Sequence, residues 1–367
     1  MKPQYCSIFK SNCQGATSPA VFTEFICTKL KGSICQGVCD KTAIDIAGEM
    51  RASFPAFSGN RSGMEMHILR SLAQEENFDK FMEYIHTPEK HFRNFIKHNV
   101  ENYLCTANTN ILSIIKKNIT QKHQCLVHAT NTATADTKQS KGDVNMWLKV
   151  FSRQLTDELR FAENDIKGMN HQDITNFDFL QEAMEKSLGT VIEQVEENFA
   201  SKSSISLNEF REGPDEILTK QLCECCWVQC PFCKAICTNT MKDHDGDHQV
   251  PFHRTNGING WTHRGTDNLC IGFCTTSVAS DKEFYPSHTC SKKDSCPYKR
   301  YREAGPSYEC WSITPDNSQL PYWKWFVCRF QSDLEKYYNR KFHGRGEIPQ
   351  AWRAFTKEQA LRSLKLI

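Results

Sequence analysis

Residues 230–254 read CPFCKAICTNTMKDHDGDHQVPFHR, in which Cys230 and Cys233 are followed, after fourteen residues, by His248 and His253. A Cys-x2-Cys turn brings two sulfurs to bonding distance of one ion, and a distant histidine pair closes the other side of a tetrahedron. Cys237 and His244 fall in the same window, so Cys233, Cys237, His244 and His248 form an equally permissible set. Six donors compete for about four places around one zinc ion. Two thiolates with two imidazoles leave no open position for water, so the expected zinc is a folding element. Asp243, Asp245 and Asp247 read as acceptors that fix imidazole tautomers, or as surface charge.

Two other readings of this window are weaker. His244-Asp245-Gly246-Asp247-His248 has the residue types of a metallohydrolase centre. The neighbouring Cys-x2-Cys favours a closed site, however, and no second histidine-rich segment supplies further ligands. A nucleic-acid-binding finger would need a basic helix between the ligand pairs, and the window carries three aspartates instead. The basic cluster Lys292, Lys293, Lys299, Arg300 and Arg302 is interrupted by Asp294 and Glu303 and reads as a solvated loop.

The chain has 19 cysteines in 367 residues; twelve lie after residue 220, six of them between Cys223 and Cys237. Neither a signal peptide nor a run of about 20 apolar residues is present, so the expected compartment is reducing, where clustered thiols read as metal ligands or small buried hydrophobes before disulfides. Cys226-Trp227-Val228 reads as a helix end packing into the core, with Cys223 and Cys225 beside it. Cys270, Cys274, Cys290 and Cys296 supply only a weak second set of ligands. The net charge of +2 offers no global field for nucleic acid or an anionic membrane.

The length argues for two or three domains, and composition shifts near residue 221, after which six of the seven tryptophans fall. The fold class is therefore a mainly α N-terminal region, 1–220, followed by a small α+β zinc-stabilised module, 221–367. Helix starts are expected at Ser18-Pro19, Thr87-Pro88 and Gly213-Pro214, with capping pairs at Ser206/Glu209 and Thr356/Gln359. Apolar periodicity marks helix faces through Met64, Ile68 and Leu72, through Phe78 to Ile85, and through Phe179, Leu180, Met184, Leu188, Val191, Ile192, Val195 and Phe199. Thr130–Gly142 (TNTATADTKQSKG) is small, polar and aperiodic and reads as a linker. Leu269–Thr275 and Tyr308–Ile313 are strand candidates, and Tyr322–Tyr338 and Trp352–Leu366 closing helices, the first with a core face of Tyr322, Trp323, Trp325, Phe326 and Phe330. No nucleophile lies beside a base, and no GxxxxGK[ST] loop cradles a nucleotide phosphate.

Several long strings resemble the interferon-induced very large GTPases and their relative, the up-regulator of cell proliferation. They are CQGATSPAVFTEFIC (Cys13–Cys27), KTAIDIAGEMRASFPAFSGNR (Lys41–Arg61), KGDVNMWL (Lys141–Leu148), GMNHQDITNFDFL (Gly168–Leu180), CWVQCPFCKAICTNTMKDHDGDHQVPFHR (Cys226–Arg254), TTSVASD (Thr275–Asp281) and WSITPDNSQLPYWKWFVCRF (Trp311–Phe330). The resemblance covers the whole chain but matches only the C-terminal region of a far longer protein, whose guanine-nucleotide domain lies upstream. It implies a cytoplasmic and also nuclear protein of innate immunity. It carries over the Cys/His positions but no nucleotide-binding or catalytic residue. The expected function is a noncatalytic assembly or interaction region, partnered by a G domain in cis or in trans or by a second copy, with GTP bound only in the upstream domain. The alternative is a portion of a GTP-binding enzyme.

Overall fold

Phe22, Ile26, Leu30, Ile34 and Val38 recur at every fourth position and are all buried; that stripe lies on one face of a 52-residue helix, α1 (Lys2–Ser53). The structure, a computed structural model, describes residues 2–161, 174–202, 205–286 and 295–366, with side chains from residue 19 onward. Ser18-Pro19 is not a helix start: α1 runs through Pro19 and gives up one backbone hydrogen bond there.

The chain divides into two compact units, each drawn from two stretches: Met1–Gly48 with Asn99–Ile217, and Glu49–His98 with Leu218–Ile367. Residues 49–98 of the expected helical region thus share a core with the Cys/His-rich module.

The first unit is helical. Besides α1 it holds α5 (Asn108–Gln139), α6 (Val144–Leu159) and α7 (Phe177–Ala200), with α6 and α7 packed on α5. The supposed linker is the last third of α5. Thr130, Ala133, Thr134 and Thr137 are buried, and Trp147 Nε1 donates to Thr134 Oγ1 at 3.0 Å. Small residues let neighbouring helices approach, so a low-hydropathy stretch forms a packing face. Leu180, Met184, Leu188, Val191, Ile192, Val195 and Phe199 are buried along α7 as expected, whereas Phe179, in its first turn, is exposed. The capping pair Ser206/Glu209 forms a capping box on a single 3-10 turn.

The second unit contains α2 (Arg61–Glu75), α3 (Phe78–His86) and the start of α4 (Pro88–Thr106), then the end of α8 (Pro214–Cys223). Short elements follow: α9 (Cys274–Ser277), the antiparallel pair β1 (Glu283–Phe284) and β2 (Cys296–Pro297), and α10 (Pro306–Glu309). The chain closes with α11 (Pro321–Arg329), α12 (Gln331–Tyr338), α13 (Gln350–Arg353) and α14 (Lys357–Ser363). Neither strand candidate is a strand: Leu269 and Phe273 form isolated bridges before α9, and Trp311 bridges to His248. The expected aromatic face of α11 is core, with Tyr322, Trp323, Trp325 and Phe326 buried and Phe326 packed on Phe81 at 4.7 Å between ring centroids. α11 and α12 are separate helices because Phe330, at φ −110°, breaks the turn between them. At α4, Pro88 opens the helix as expected, but the Thr87 hydroxyl bonds back to Glu83 O at 3.0 Å. Thr356 and Gln359 cap α14 reciprocally. Among the described residues, no helix is long and apolar enough to cross a membrane.

Candidate metal centre

Residues 226–239 fold back on themselves as a hairpin. Cys226 N donates to Asn239 O, Cys237 N to Val228 O, and Cys230 N to Ala235 O at 2.8 Å. The tip closes through Lys234 N donating to Cys230 O at 2.9 Å, with Lys234 in the left-handed region at φ 60°. That turn sets Cys230 and Cys233 together at the tip, while Cys226 and Cys237 face each other at the base. Downstream, Asn256 N donates to Gly272 O and Gly257 N to Cys270 O at 2.7 Å. This pairing carries Cys274, the first residue of α9, up to His253.

Cys230, Cys233, His253 and Cys274 form one quartet, all four buried, with one ligand atom from each lying within 4.8 Å of every other. Cys233 Sγ is 3.4 Å from His253 Nδ1 and 3.4 Å from Cys274 Sγ. Zinc–ligand bonds of about 2.3 Å to sulfur and about 2.0 Å to nitrogen give tetrahedron edges of about 3.5 Å between S and N and about 3.8 Å between two sulfurs. The quartet is thus close to the size of a tetrahedral site, and its soft donor set suits zinc. Burial pushes the Cys230 and Cys274 thiols well above their usual range. Cys233 feels the same burial, but hydrogen bonds from Cys230 and Cys274, with His253 beside it, hold it well below.

The six donors expected from the sequence do not compete for one ion. Cys230, Cys233 and His253 belong to this quartet, whereas Cys237, His244 and His248 group with Cys226 in a second one. Neither set of four read from the sequence is assembled. The missing members are Cys226 and Cys274. The sequence held one signal for them: six donors are two short of two complete tetrads. Cys226 groups with Cys237, His244 and His248 rather than only packing at a helix end, and Cys274 groups with Cys230, Cys233 and His253 without Cys270 and Cys296; Cys290 lies outside the described residues. Burial raises Cys223 to about 12 and Cys225 to about 11, so these thiols stay protonated as small hydrophobes.

The metallohydrolase reading does not fit this geometry. His244 and His248 both face thiols, and the Asp247 carboxylate is taken by Arg302 in a bidentate pair at 2.6 and 2.8 Å. A finger is no better supported, because residues 230–254 contain no helix. The basic cluster is paired off: Lys299 with Asp281, Arg300 with Glu303, and Arg302 with Asp247; Lys292 and Lys293 lie outside the described residues. An open cavity of about 520 Å³, bordered on one side by Pro231 and Lys234 of the hairpin tip, is lined by Trp261, Arg264, Phe284, Tyr285 and Tyr298. Arg264 spends its charge there on Glu283, at 2.9 Å, and on the Tyr285 ring.

With this geometry established, the class of protein follows from comparison. Residues 226–364, which begin at the base of the hairpin, match the family model described as Interferon-induced very large GTPase 1, C-terminal domain. The chain is 41% identical over 365 residues to interferon-induced very large GTPase 1 of Mus musculus and 39% identical over 366 residues to that of Homo sapiens. Each match covers 99% of this chain and only 15% of the relative's length. Residues 226–364 thus match the C-terminal domain of the interferon-induced very large GTPases, and the chain resembles these relatives along almost its whole length. No solved structure matches it.

Proposed function

We propose that this chain is a noncatalytic assembly region whose C-terminal unit is stapled by a structural zinc ion held by Cys230, Cys233, His253 and Cys274. The observation that carries this reading is the closure of the quartet: four protein donors, all buried, leave no position from which a water could act on a substrate. Bound zinc would supply a cross-link between the hairpin tip, the segment after it and α9, adding binding free energy to a unit of short elements. The absence of a GxxxxGK[ST] loop from the sequence supports a noncatalytic role. The partner we propose is a guanine-nucleotide domain, in the same polypeptide or another, or a second copy of this chain. We place the protein in the cytoplasm and nucleus.

A second reading, a portion of a GTP-binding enzyme, draws on the relatives' name and on the 15% of their length that the chain spans. Titration calorimetry of the chain with GTP separates the two. No heat of binding at micromolar to millimolar nucleotide is expected, and micromolar affinity would sink the noncatalytic reading. Zinc content and thermal unfolding of Cys233→Ser test the staple: both fall if the quartet holds the ion, and an unchanged content refutes the ligand assignment.

A further inference from the structure

Cys226, Cys237, His244 and His248 form a donor set separate from the buried quartet. Cys226 Sγ lies 3.4 Å from His248 Nδ1, Cys237 Sγ 3.7 Å from His244 Nε2, and the two imidazole nitrogens are 3.0 Å apart. For zinc–nitrogen bonds of about 2.0 Å the tetrahedral nitrogen–nitrogen edge is about 3.3 Å, so these spacings too are close to those of one ion's shell. His244 Nδ1 is 3.2 Å from the Asp245 carbonyl, an acceptor that fixes its proton there and leaves Nε2 as the ligand lone pair.

The segment that carries these histidines is anchored from outside the donor set. His248 N donates to Cys310 O at 2.7 Å, Ser312 N donates to His248 O at 2.9 Å, and Thr238 N donates to Gln249 O. Asp247 is clamped by Arg302, and Gly246 makes the turn at φ 85°, where a side chain would be strained. The backbone therefore presents His248 to Cys226 without relying on the ion, and Gly246 lets His244 reach Cys237.

We propose that this set is a second zinc site, ligated by Cys226 Sγ, Cys237 Sγ, His244 Nε2 and His248 Nδ1, and that its ion exchanges faster than that of the buried quartet. The inference extends the reading of the unit as metal-stapled but stands on four different residues. The contrast in exchange follows from accessibility. All members of the first quartet are buried, whereas His244 and His248 are half-buried on a stretch whose residues 241–243 and 245–247 are exposed. Opening that stretch requires far less unfolding than reaching the hairpin tip.

The test is native mass spectrometry of the full chain loaded with zinc, followed by release to a competing chelator. Two ions per chain are expected, one leaving at least about tenfold faster than the other. A His244→Ala/His248→Ala variant should retain only the slow ion, and Cys233→Ser only the fast one. Loading with cobalt(II) gives a reading that does not depend on any variant folding: the sulfur-to-cobalt charge-transfer band should have the intensity of five thiolates, the number in the two sets together. A wild-type chain with a single ion and a three-thiolate band, or a double-histidine variant with unchanged metal content, overturns the second site while leaving the first intact. Equal release rates for two ions overturn the proposed exchange. Loss of metal in neither variant refutes both assignments.

Discussion

Arg61 Nη2 donates a hydrogen bond to the backbone carbonyl of Cys237 at 2.5 Å, across 176 residues of sequence. Arg61 opens α2, is 2% exposed, and pairs through Nη1 with Glu65 at 3.1 Å. Its guanidinium also lies over the Trp227 ring, 5.4 Å from the centroid. A helix from the first hundred residues thus holds one arm of the ligand hairpin in place.

Replacing Arg61 with Ala takes one of two guanidinium partners from Glu65, which keeps Tyr84 and Arg254, and leaves the Cys237 carbonyl without this donor. Losing a hydrogen bond to a charged group costs about 1.5–3 kcal/mol, and urea unfolding of the variant should show a loss of that order. Arg61→Lys should not restore it, because one ammonium cannot reproduce the planar fork that serves Glu65 and Cys237 together.

Glu65 also accepts from the Tyr84 hydroxyl at 2.5 Å and from Arg254 Nη2 at 3.4 Å, and the Arg254 guanidinium sits 4.4 Å from the Trp323 ring centroid. A double-mutant cycle on Glu65→Gln and Arg254→Met should therefore give a coupling energy of about 0.5–3 kcal/mol, as for residues in one hydrogen-bonded network. Simple additivity would mean that the network is not formed.

Cys270 and Cys274 look alike in sequence and differ in role. Cys274→Ala should lower metal content and thermal stability together. Cys270 is not in either quartet and packs as a small hydrophobe, so Cys270→Ala should leave the metal content at the wild-type value. Measuring zinc by atomic absorption in the two variants checks the distinction, and equal losses would contradict it.

Two glycine substitutions should act with opposite signs. A Cβ on Gly346 would sit 1.9 Å from Leu269 O, so Gly346→Ala forces backbone apart and should cost about 1–3 kcal/mol. Gly32 is exposed within α1 and a Cβ there meets nothing within 4 Å, so Gly32→Ala should stabilise by about 0.5–1 kcal/mol. Thermal denaturation of both variants provides the comparison.

Glu76 ends α2 and is held between Lys357 and Arg329, each at 2.7 Å. Their hydrogen bonds lower its carboxyl below the usual 4.5. A carboxylate whose pKa falls on folding contributes stability that is complete above the unfolded value and is lost as pH falls through the folded one. The difference in melting temperature between wild type and Glu76→Gln should therefore be constant near neutrality and close as pH drops below about 4.5. A difference independent of pH would assign the effect to packing alone.

The helices with wide apolar faces were legible in the sequence because buried Leu, Ile, Met and Phe at helical spacing leave few alternatives; α7 and α11 are examples. The end of α5 was not, since its buried face is threonine and alanine, and local composition cannot register a neighbour such as Trp147. That Cys and His donors gather after residue 225 was legible, but their partition into two groups was not. Spacing along the chain shows which donors can meet an ion, whereas the hairpin decides which of them do. Cys226 enters only because Cys237 folds back beside it, and Cys274 only because residues 270–273 pair with 255–257. The union of residues 49–98 with the second unit had no local signal, because it rests on contacts such as Arg61 with Cys237.

The order of the ligand pairs along the chain has a consequence for assembly. Cys226, Cys237, His244 and His248 fall within one short stretch, whereas the buried quartet is incomplete until Cys274. Closing a short loop costs less chain entropy than closing a long one, and during synthesis the shorter set emerges first. Early capture of an ion at the hairpin base would hold Cys230 and Cys233 side by side before their partners arrive. The site at the hairpin base would then act as an internal template, steering eight similar donors away from mixed, misligated sets.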